Sequence, residues 1–376
     1  MIRFSTIKVR IYPTPKQQET IDQTFHCCRF MWNQLLEDHD EFYAATDKHF
    51  IPSPGKYKND FPFLKDADSQ ALVVVRQNLQ TAFQNYFNNP GKFHHPAFKK
   101  KKAQKFTYST YCHHYHGRVP DSIRIQDEGI VLPKLKLVKA KLHRLPQPDW
   151  ILQYAVVSKT KTGKYFCSLV YKYEVVSKPK GLPDESGTIG LKYSYTHFYV
   201  DSDGQMADPP QWMKVNQEKL KAIQRKLSRM QRGSKNYQET VQKYRLLHEH
   251  IVNQRLDYIH KESRRIANAW DAVCVRSDDF QSLAQTIGYT NLLDSAFAKF
   301  RSCLDYKLDW EGKRMIAVQP EKPTTKLCHV CGAVNENVPR SKRFWICPNC
   351  GARLSREVNA AINIKRLGMA QISVSS

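Results

Sequence analysis

Two C-x-x-C pairs near the end of the chain restrict its fold more than any other feature. Cys328-x2-Cys331 is followed, after fifteen residues, by Cys347-x2-Cys350. Four thiolates at this spacing close two short loops on one tetrahedral Zn²⁺ and leave no coordination position open. A small zinc ribbon holding a structural metal is therefore expected. A redox role competes weakly, because neither pair opens a helix after a thioredoxin-like strand. The other six cysteines, Cys27, Cys28, Cys112, Cys167, Cys274 and Cys303, are scattered and mostly lie in apolar surroundings. The N-terminus, M-I-R-F-S-T-I-K-V-R, lacks the apolar centre of a secretory signal. The expected setting is a reducing cytoplasm, with bacterial nucleoid association, and the cysteines read as metal chemistry rather than as a disulfide framework.

Charge narrows the partner. The formal net charge is +24, and residues 91–180 hold 19 Lys/Arg against 5 Asp/Glu. Clustering of this kind is the electrostatic footprint of a nucleic-acid partner. The bland alternative is a merely basic enzyme. No apolar run of 18 residues is present, so neither a transmembrane helix nor a membrane partner is expected.

Read in order, residues 4–12 alternate Ile7, Val9 and Ile11 with Lys8, Arg10 and Tyr12, a half-buried strand with a basic outer face. Thr14-Pro15-Lys16-Gln17 reads as a capping box opening a helix. A second helix over 69–87 buries Leu72, Val75, Leu79 and Phe83. Its other face carries Arg76, Gln77, Gln80 and Gln84. Arg and Gln make bidentate contacts to base edges, so these four are candidates for reading a DNA motif; an ordinary solvated face is the alternative. Lys92, Lys99, Lys100, Lys101, Lys102 and Lys105, interleaved with Phe93, Phe98 and Phe106, suit contacts to a nucleic-acid backbone, as do Lys8 and Arg10. Short alternating runs from 122 to 176 suggest a small β-barrel joined by strand 4–12. His113, His114 and His116 read as a polar segment rather than a metal site, since no partner ligand has the right spacing.

Thr188 to Ser194, a short reversal, His197 to Val200 and the D-S-D-G turn at 201–204 form a hairpin. A carboxylate ending such a first strand commonly holds Mg²⁺ in two-metal nucleases; here the residue is Lys192. Residues 215–270 read as an antiparallel helical pair broken at Arg232-Gly233-Ser234. A buried strand at 271–275, a helix over 291–310 and a strand at 314–318 follow. Ala360 and Ala361 would let a closing helix pack tightly on the sheet.

At full length the chain resembles the TnpB family, the RNA-guided nucleases of insertion sequences, related to compact type V CRISPR effectors. The resemblance rests on F-S-T-I-K-V-R-I-Y-P-T-P-K-Q at 4–17, Arg29-Phe-Met-Trp-Asn33, Phe83-Gln-Asn-Tyr-Phe87 and Pro96-Ala-Phe-Lys99. Leu304-Asp-Tyr-Lys307, Thr324-Thr325, Cys328-x2-Cys331-Gly332 and Asn359-Ala-Ala-Ile-Asn-Ile364 complete it. It implies an α+β multidomain fold. A wedge-type β-barrel over 1–13 and 90–182 would carry a helical recognition insertion at 14–89. A RuvC-like domain of RNase H fold over 183–323 and 353–376 would follow, with lid helices at about 215–270 and a zinc ribbon at 324–352. The implied partners are a guide RNA and double-stranded target DNA that opens into an RNA–DNA heteroduplex.

The family's three carboxylate positions fall on Lys192, Arg276 and Glu357. Two cations there oppose Mg²⁺ binding, and Asp278 lies a pleat repeat beyond Arg276. The expectation is therefore a protein that is not an enzyme and has no catalytic Mg²⁺. It would repress transcription by guide-directed occupancy next to a short duplex motif, with Lys192 and Arg276 meeting DNA phosphates. The competing readings are an active Mg²⁺-dependent RNA-guided endonuclease of an insertion sequence, a decayed transposon gene and a plain RNA-binding protein.

Overall fold

The computed structural model describes residues 1–101, 106–114, 121–175, 183–194, 197–208, 212–277, 292–319, 323–338 and 342–375, together with Gly181 and Glu321. The chain divides into two compact units, Met1–Val176 and Ser177–Ser376.

The first unit is built on β1 (Ile2–Tyr12), whose inward Ser5, Ile7, Val9 and Ile11 alternate with exposed Lys8 and Arg10. It pairs antiparallel with β7 (Tyr165–Glu174), from Ile2 opposite Glu174 to Ile11 opposite Tyr165. The other members are β2 (Thr107–Tyr111), β3 (Arg124–Gln126), β4 (Gly129–Leu132), β5 (Lys136–Lys141) and β6 (Ile151–Lys159). The seven-stranded order is β2-β6-β7-β1-β5-β4-β3. The sheet is a curled half-barrel and does not close, because β2 and β3 are its two edges. This corrects the expectation of a barrel. The alternating runs reveal strands but carry no signal for whether the first and last meet.

α1 (Pro15–Thr46) and α3 (Ser69–Asn88) lie between β1 and β2 in the chain, separated by the single-turn α2 (Tyr57–Asp60). The capping box of α1 forms as the sequence implies: Thr14 N–H donates to Gln17 Oε1 at 2.9 Å, and Gln17 N–H donates to Thr14 Oγ1. Gln17 Nε2 also donates to the Leu135 and Leu137 carbonyls, both at 2.9 Å, tying the helix start to the β4–β5 turn. Asp68 caps α3 through the Gln70 N–H. The apolar faces of both helices join the inner face of the sheet in one core, with Phe25, Met31, Leu35, Leu72, Leu79 and Phe83 among its members.

The second unit has a five-stranded sheet ordered β10-β9-β8-β11-β12. β8 (Thr188–Tyr193), β9 (Tyr199–Asp201) and β10 (Met206–Ala207) form an antiparallel meander. β11 (Ala272–Arg276) runs parallel to β8, and β12 (Arg314–Val318) parallel to β11. Asp201 lies within β9, and its Oδ1 accepts the N–H groups of Asp203 and Gln205, which closes the turn. α4 (Trp212–Ser228) and α5 (Lys235–Ala269) form the helical pair, broken around Gly233, whose φ of +89° suits glycine. α6 (Leu292–Trp310) precedes β12, and α7 (Arg356–Ser375) ends the unit. Strand alternation sorts the faces. Ile189, Leu191, Tyr193, Val273 and Val275 pack with α5 and α6, whereas Ala272 and Cys274 pack with Ile364 of α7. Between the last strands, β13 (Phe344–Ile346) pairs with β14 (Arg353–Ser355) in the cysteine-bearing segment.

Candidate nucleic-acid interface and metal centre

Unit two gathers its polar chemistry at one end of the sheet. Leu191 and Val275 are register partners on adjacent parallel strands, and Lys192 and Arg276 each follow by one residue. By alternation both share the face that packs against α7, opposite to Leu191 and Val275. Glu357 stands in the first turn of α7. Its Oε1 accepts a hydrogen bond from Ser194 Oγ at 2.6 Å, which ties the helix start to the end of β8. Lys192 Nζ donates to the Tyr193 carbonyl at 2.7 Å, and Arg276 Nη1 approaches Thr324 Oγ1 at 3.4 Å. The fold thus brings the three sequence-selected positions to one corner, with two cations and one carboxylate. Asp278 lies outside the described residues.

α7 reaches this corner because small residues let it. A Cβ on Gly190 would stand 2.2 Å from the Ala361 carbonyl oxygen, and Ala360 and Ala361 are fully buried. Two asparagines of the same helix secure the segment leading to the cysteines. Asn359 Nδ2 donates to the Leu327 carbonyl at 2.8 Å, and its Oδ1 accepts from the His329 N–H at 3.0 Å. Asn363 Nδ2 donates to the carbonyls of Thr324 at 2.9 Å and Leu327 at 2.6 Å. Arg366 Nη1 holds the His329 carbonyl at 2.8 Å. Two turns of helix, from Asn359 to Arg366, therefore position the first C-x-x-C loop through side-chain hydrogen bonds to its backbone.

The four cysteine sulfurs converge. The Sγ atoms of Cys328 and Cys350 are 3.8 Å apart and those of Cys331 and Cys347 are 3.6 Å apart. All four lie within 4.8 Å of one another. A regular tetrahedron with Zn–S of ~2.3 Å has S···S edges of ~3.8 Å, so the donor set fits Zn²⁺. Four thiolates would fill the coordination sphere of such an ion, which suits a structural role. Among the described residues a second grouping, Cys112, His114 and Asp121, comes equally close. There His114 already binds the Asp121 carboxylate through Nδ1 at 2.8 Å and the Leu152 carbonyl through Nε2 at 2.7 Å. Both ring nitrogens are spent on oxygens, so this grouping is a hydrogen-bonded brace. His116 lies outside the described residues.

In unit one, Arg29, Trp32 and Asn33 share one face of α1 at i, i+3 and i+4. Trp32 Nε1 donates to the Ala97 carbonyl at 3.1 Å. Asn33 pairs with the Lys99 backbone, accepting its N–H at 2.8 Å and donating to its carbonyl at 3.3 Å. Lys99 Nζ sits 3.4 Å from the centre of the Trp32 ring, a cation–π contact. The helix thereby lashes down a loop some 65 residues later that carries exposed Lys99, Lys100 and Lys101. The sequence offers no signal for this pairing, because hydrogen bonds to backbone leave no residue-type signature at the far end. Lys92 lies over Phe93, Lys8 over Phe166 and Arg10 over Tyr12. Lys102 and Lys105 lie outside the described residues. Of the four base-reading candidates on α3, Arg76 Nε donates to the Ile51 carbonyl and Gln77 Oε1 accepts from the Tyr111 hydroxyl. Gln80 is half-buried and Gln84 exposed.

Three family models match the chain: a helix-turn-helix domain of the OrfB type over residues 1–48, a "Probable transposase" over 169–278, and a "Cas12f1-like, TNB domain" over 297–364. A Streptomyces pristinaespiralis protein named as an RNA-guided DNA endonuclease is 27% identical over 96% of this chain and 89% of its own length. Escherichia coli K12 InsQ, named likewise, is 28% identical over 99% of this chain and 94% of its own. Among solved structures, that of the Cas12f1–sgRNA–target DNA complex is similar with a TM-score of 0.60. It is 13% identical and covers 97% of this chain and 99% of that one, a likeness of fold. Among the described residues, no helix is long and apolar enough to cross a membrane. These relatives overturn the expectation, drawn from Lys192, Arg276 and Glu357, that the chain is not an enzyme: they are named for DNA cleavage across nearly its whole length.

Proposed function

We propose that this chain, which belongs to the TnpB/OrfB family of IS605-type insertion sequences, is an RNA-guided DNA-targeting protein. It carries a guide RNA, recognises a short duplex motif, and pairs the guide with one strand of the adjoining DNA. The observation that carries the reading is the lysine loop of unit one, pinned by Trp32 and Asn33. A cationic loop tied to α1 within a stretch of 19 Lys/Arg against 5 Asp/Glu suits phosphates, and relatives matched across nearly the whole chain are named as RNA-guided.

In this reading the curled sheet serves as the wedge, over 1–13 and 90–182, and the helices of 14–89 as the recognition insertion. Residues 183–323 and 353–376 make the RuvC-like domain, with α4 and α5 as its lid. The meander followed by parallel β11 and β12, with helices on both faces, supports that assignment. Residues 324–352 are the zinc ribbon. Motif reading falls to Arg76, Gln77, Gln80 and Gln84; Arg76 and Gln77 exchange bonds to their own chain for base edges. Lys8, Arg10, Lys92, Lys99, Lys100, Lys101, Lys102 and Lys105 take backbone phosphates, and Lys192 and Arg276 take phosphates at the corner beside α7. Seated on a promoter in the bacterial nucleoid, the complex represses transcription by blocking RNA polymerase.

The test is to purify the protein with its RNA, sequence that RNA, and footprint DNA bearing its complement. Protection of matched but not mismatched DNA is expected, and equal protection of both would refute RNA guidance. The same reactions with Mg²⁺ measure the cleavage for which the relatives are named.

A further inference from the structure

Unit one contains a cleft of about 520 Å³ between α1, α3, β2 and the loop that Trp32 and Asn33 pin. This is within the size range of sites for one small molecule. Its floor is apolar: Phe25 and Tyr108, 2% and 5% exposed, stand with ring centres 5.7 Å apart beside Val75. Its rim is different in kind. Phe98 stands there 53% exposed, and Lys99 and Lys100 bring two cations. Arg29 lines the wall; its Nε is buried behind it and has no hydrogen-bond partner among the described residues. The Arg29 guanidinium adds a third cation to those of Lys99 and Lys100. Exposed Asn78, also on the wall, offers both a donor and an acceptor.

An apolar floor, an exposed ring, a guanidinium group and two lysines together match the parts of a nucleotide. We infer that this cleft receives one unstacked nucleotide of a bound strand. The base lies on the floor against Phe98, with an edge at Asn78, and the phosphate meets Arg29 and the lysines. A duplex keeps its bases stacked, so the occupant is a single-stranded or extruded nucleotide. The inference rests on the nucleic-acid reading above and adds a defined seat to it. It also gives the signature residues a job: Arg29 lines the cleft, while Trp32 and Asn33 fix the loop that forms its rim.

The test uses the full chain with short RNA and DNA oligonucleotides carrying 5-iodouridine or 5-iododeoxyuridine. Binding is followed by fluorescence anisotropy, and photocrosslinked peptides are mapped by mass spectrometry. Crosslinks to the peptides holding Phe98 or Tyr108 are expected, with whichever of RNA or DNA crosslinks identifying the source strand. Phe98→Ala removes an exposed ring without disturbing the core, and Val74→Trp fills the cleft. Each should weaken binding about tenfold and abolish those crosslinks. Wild-type binding without cleft crosslinks, and with affinity unchanged in Phe98→Ala, overturns the seat and leaves the nucleic-acid reading standing. Failure of both oligonucleotides to bind overturns the two together.

Discussion

Gly190→Ala is the sharpest structural test of how the corner is assembled. The added Cβ would lie 2.2 Å from the Ala361 carbonyl oxygen and 2.8 Å from the Lys365 nitrogen, where ordinary contact begins near 3.4 Å. Both are backbone atoms of α7, so no side chain can swing aside, and the helix must retreat by roughly 1 Å. That retreat loosens fully buried Ala360, Ala361 and Ile364 and strains the bonds from Asn359 and Asn363. Overpacking costs up to about 3 kcal/mol, and this case belongs at the upper end because the obstruction is rigid. In a unit the size of Ser177–Ser376, about 3 kcal/mol corresponds to a fall of ~6–12 °C in Tm. Thermal unfolding followed by circular dichroism measures it. Gly181→Ala is the control, since nothing among the described residues lies within 4 Å of its added carbon; it should stay within about 0.5 kcal/mol. If Gly190→Ala melts within about a degree of the wild type, the close seating of α7 on β8 is wrong.

Other outcomes follow from the same geometry. Metal analysis should find one Zn²⁺ per chain, and Cys328→Ser or Cys347→Ser should lose it and expose the ribbon segment to protease; retention of metal in both would refute four-thiolate coordination. Asn33→Ala should free the lysine loop, read as faster amide exchange at residues 97–99, and unchanged protection would contradict the lash. If Lys192 and Arg276 meet phosphates, replacing both with alanine should make the slope of log affinity against log salt shallower by about 2, and an unchanged slope would exclude them. Burial works against ionising Glu262, but hydrogen bonds from Arg265 and Tyr199 outweigh it and hold its carboxyl below the ordinary range. A carboxyl depressed in the fold contributes stability above its unfolded pKa and loses it as pH falls through the folded value. Arg265→Ala should therefore be most destabilising near neutral pH, with the gap to wild type closing in acid denaturant titrations. A gap that does not change with pH would contradict this.

Much of this arrangement was legible in the chain because the signals were local. The capping box at Thr14 and Gln17, the alternation of β1, the break at Gly233 and the cysteine spacing each depend on residues a few places apart. What escaped depends on distant backbone. Trp32 and Asn33 act on carbonyls and N–H groups near residue 98, and Asn359 and Asn363 act on the carbonyls before the first cysteine pair. Such partners can be of any residue type. The open edge between β2 and β3 was equally hidden, since strand periodicity records which face is buried and not which strands adjoin. Arg76 and Gln77 looked like a solvent face awaiting bases, yet each already bonds within the chain, because the Ile51 and Tyr111 segments fold over α3. At the corner, Lys192 and Arg276 end adjacent parallel strands, and Glu357 accepts from Ser194 beside them. Relatives named for DNA cleavage, matched across nearly the whole chain, overturn the inactivity inferred from the charge at these positions.

In the function proposed above, RNA directs this protein to DNA. The most direct measurement is chromatin immunoprecipitation from cells in which the target-pairing segment of the co-purifying RNA has been exchanged for a new sequence. RNA guidance predicts that the original peaks vanish and new ones arise at the new complement beside the same short motif. Peaks that stay where they were would contradict it.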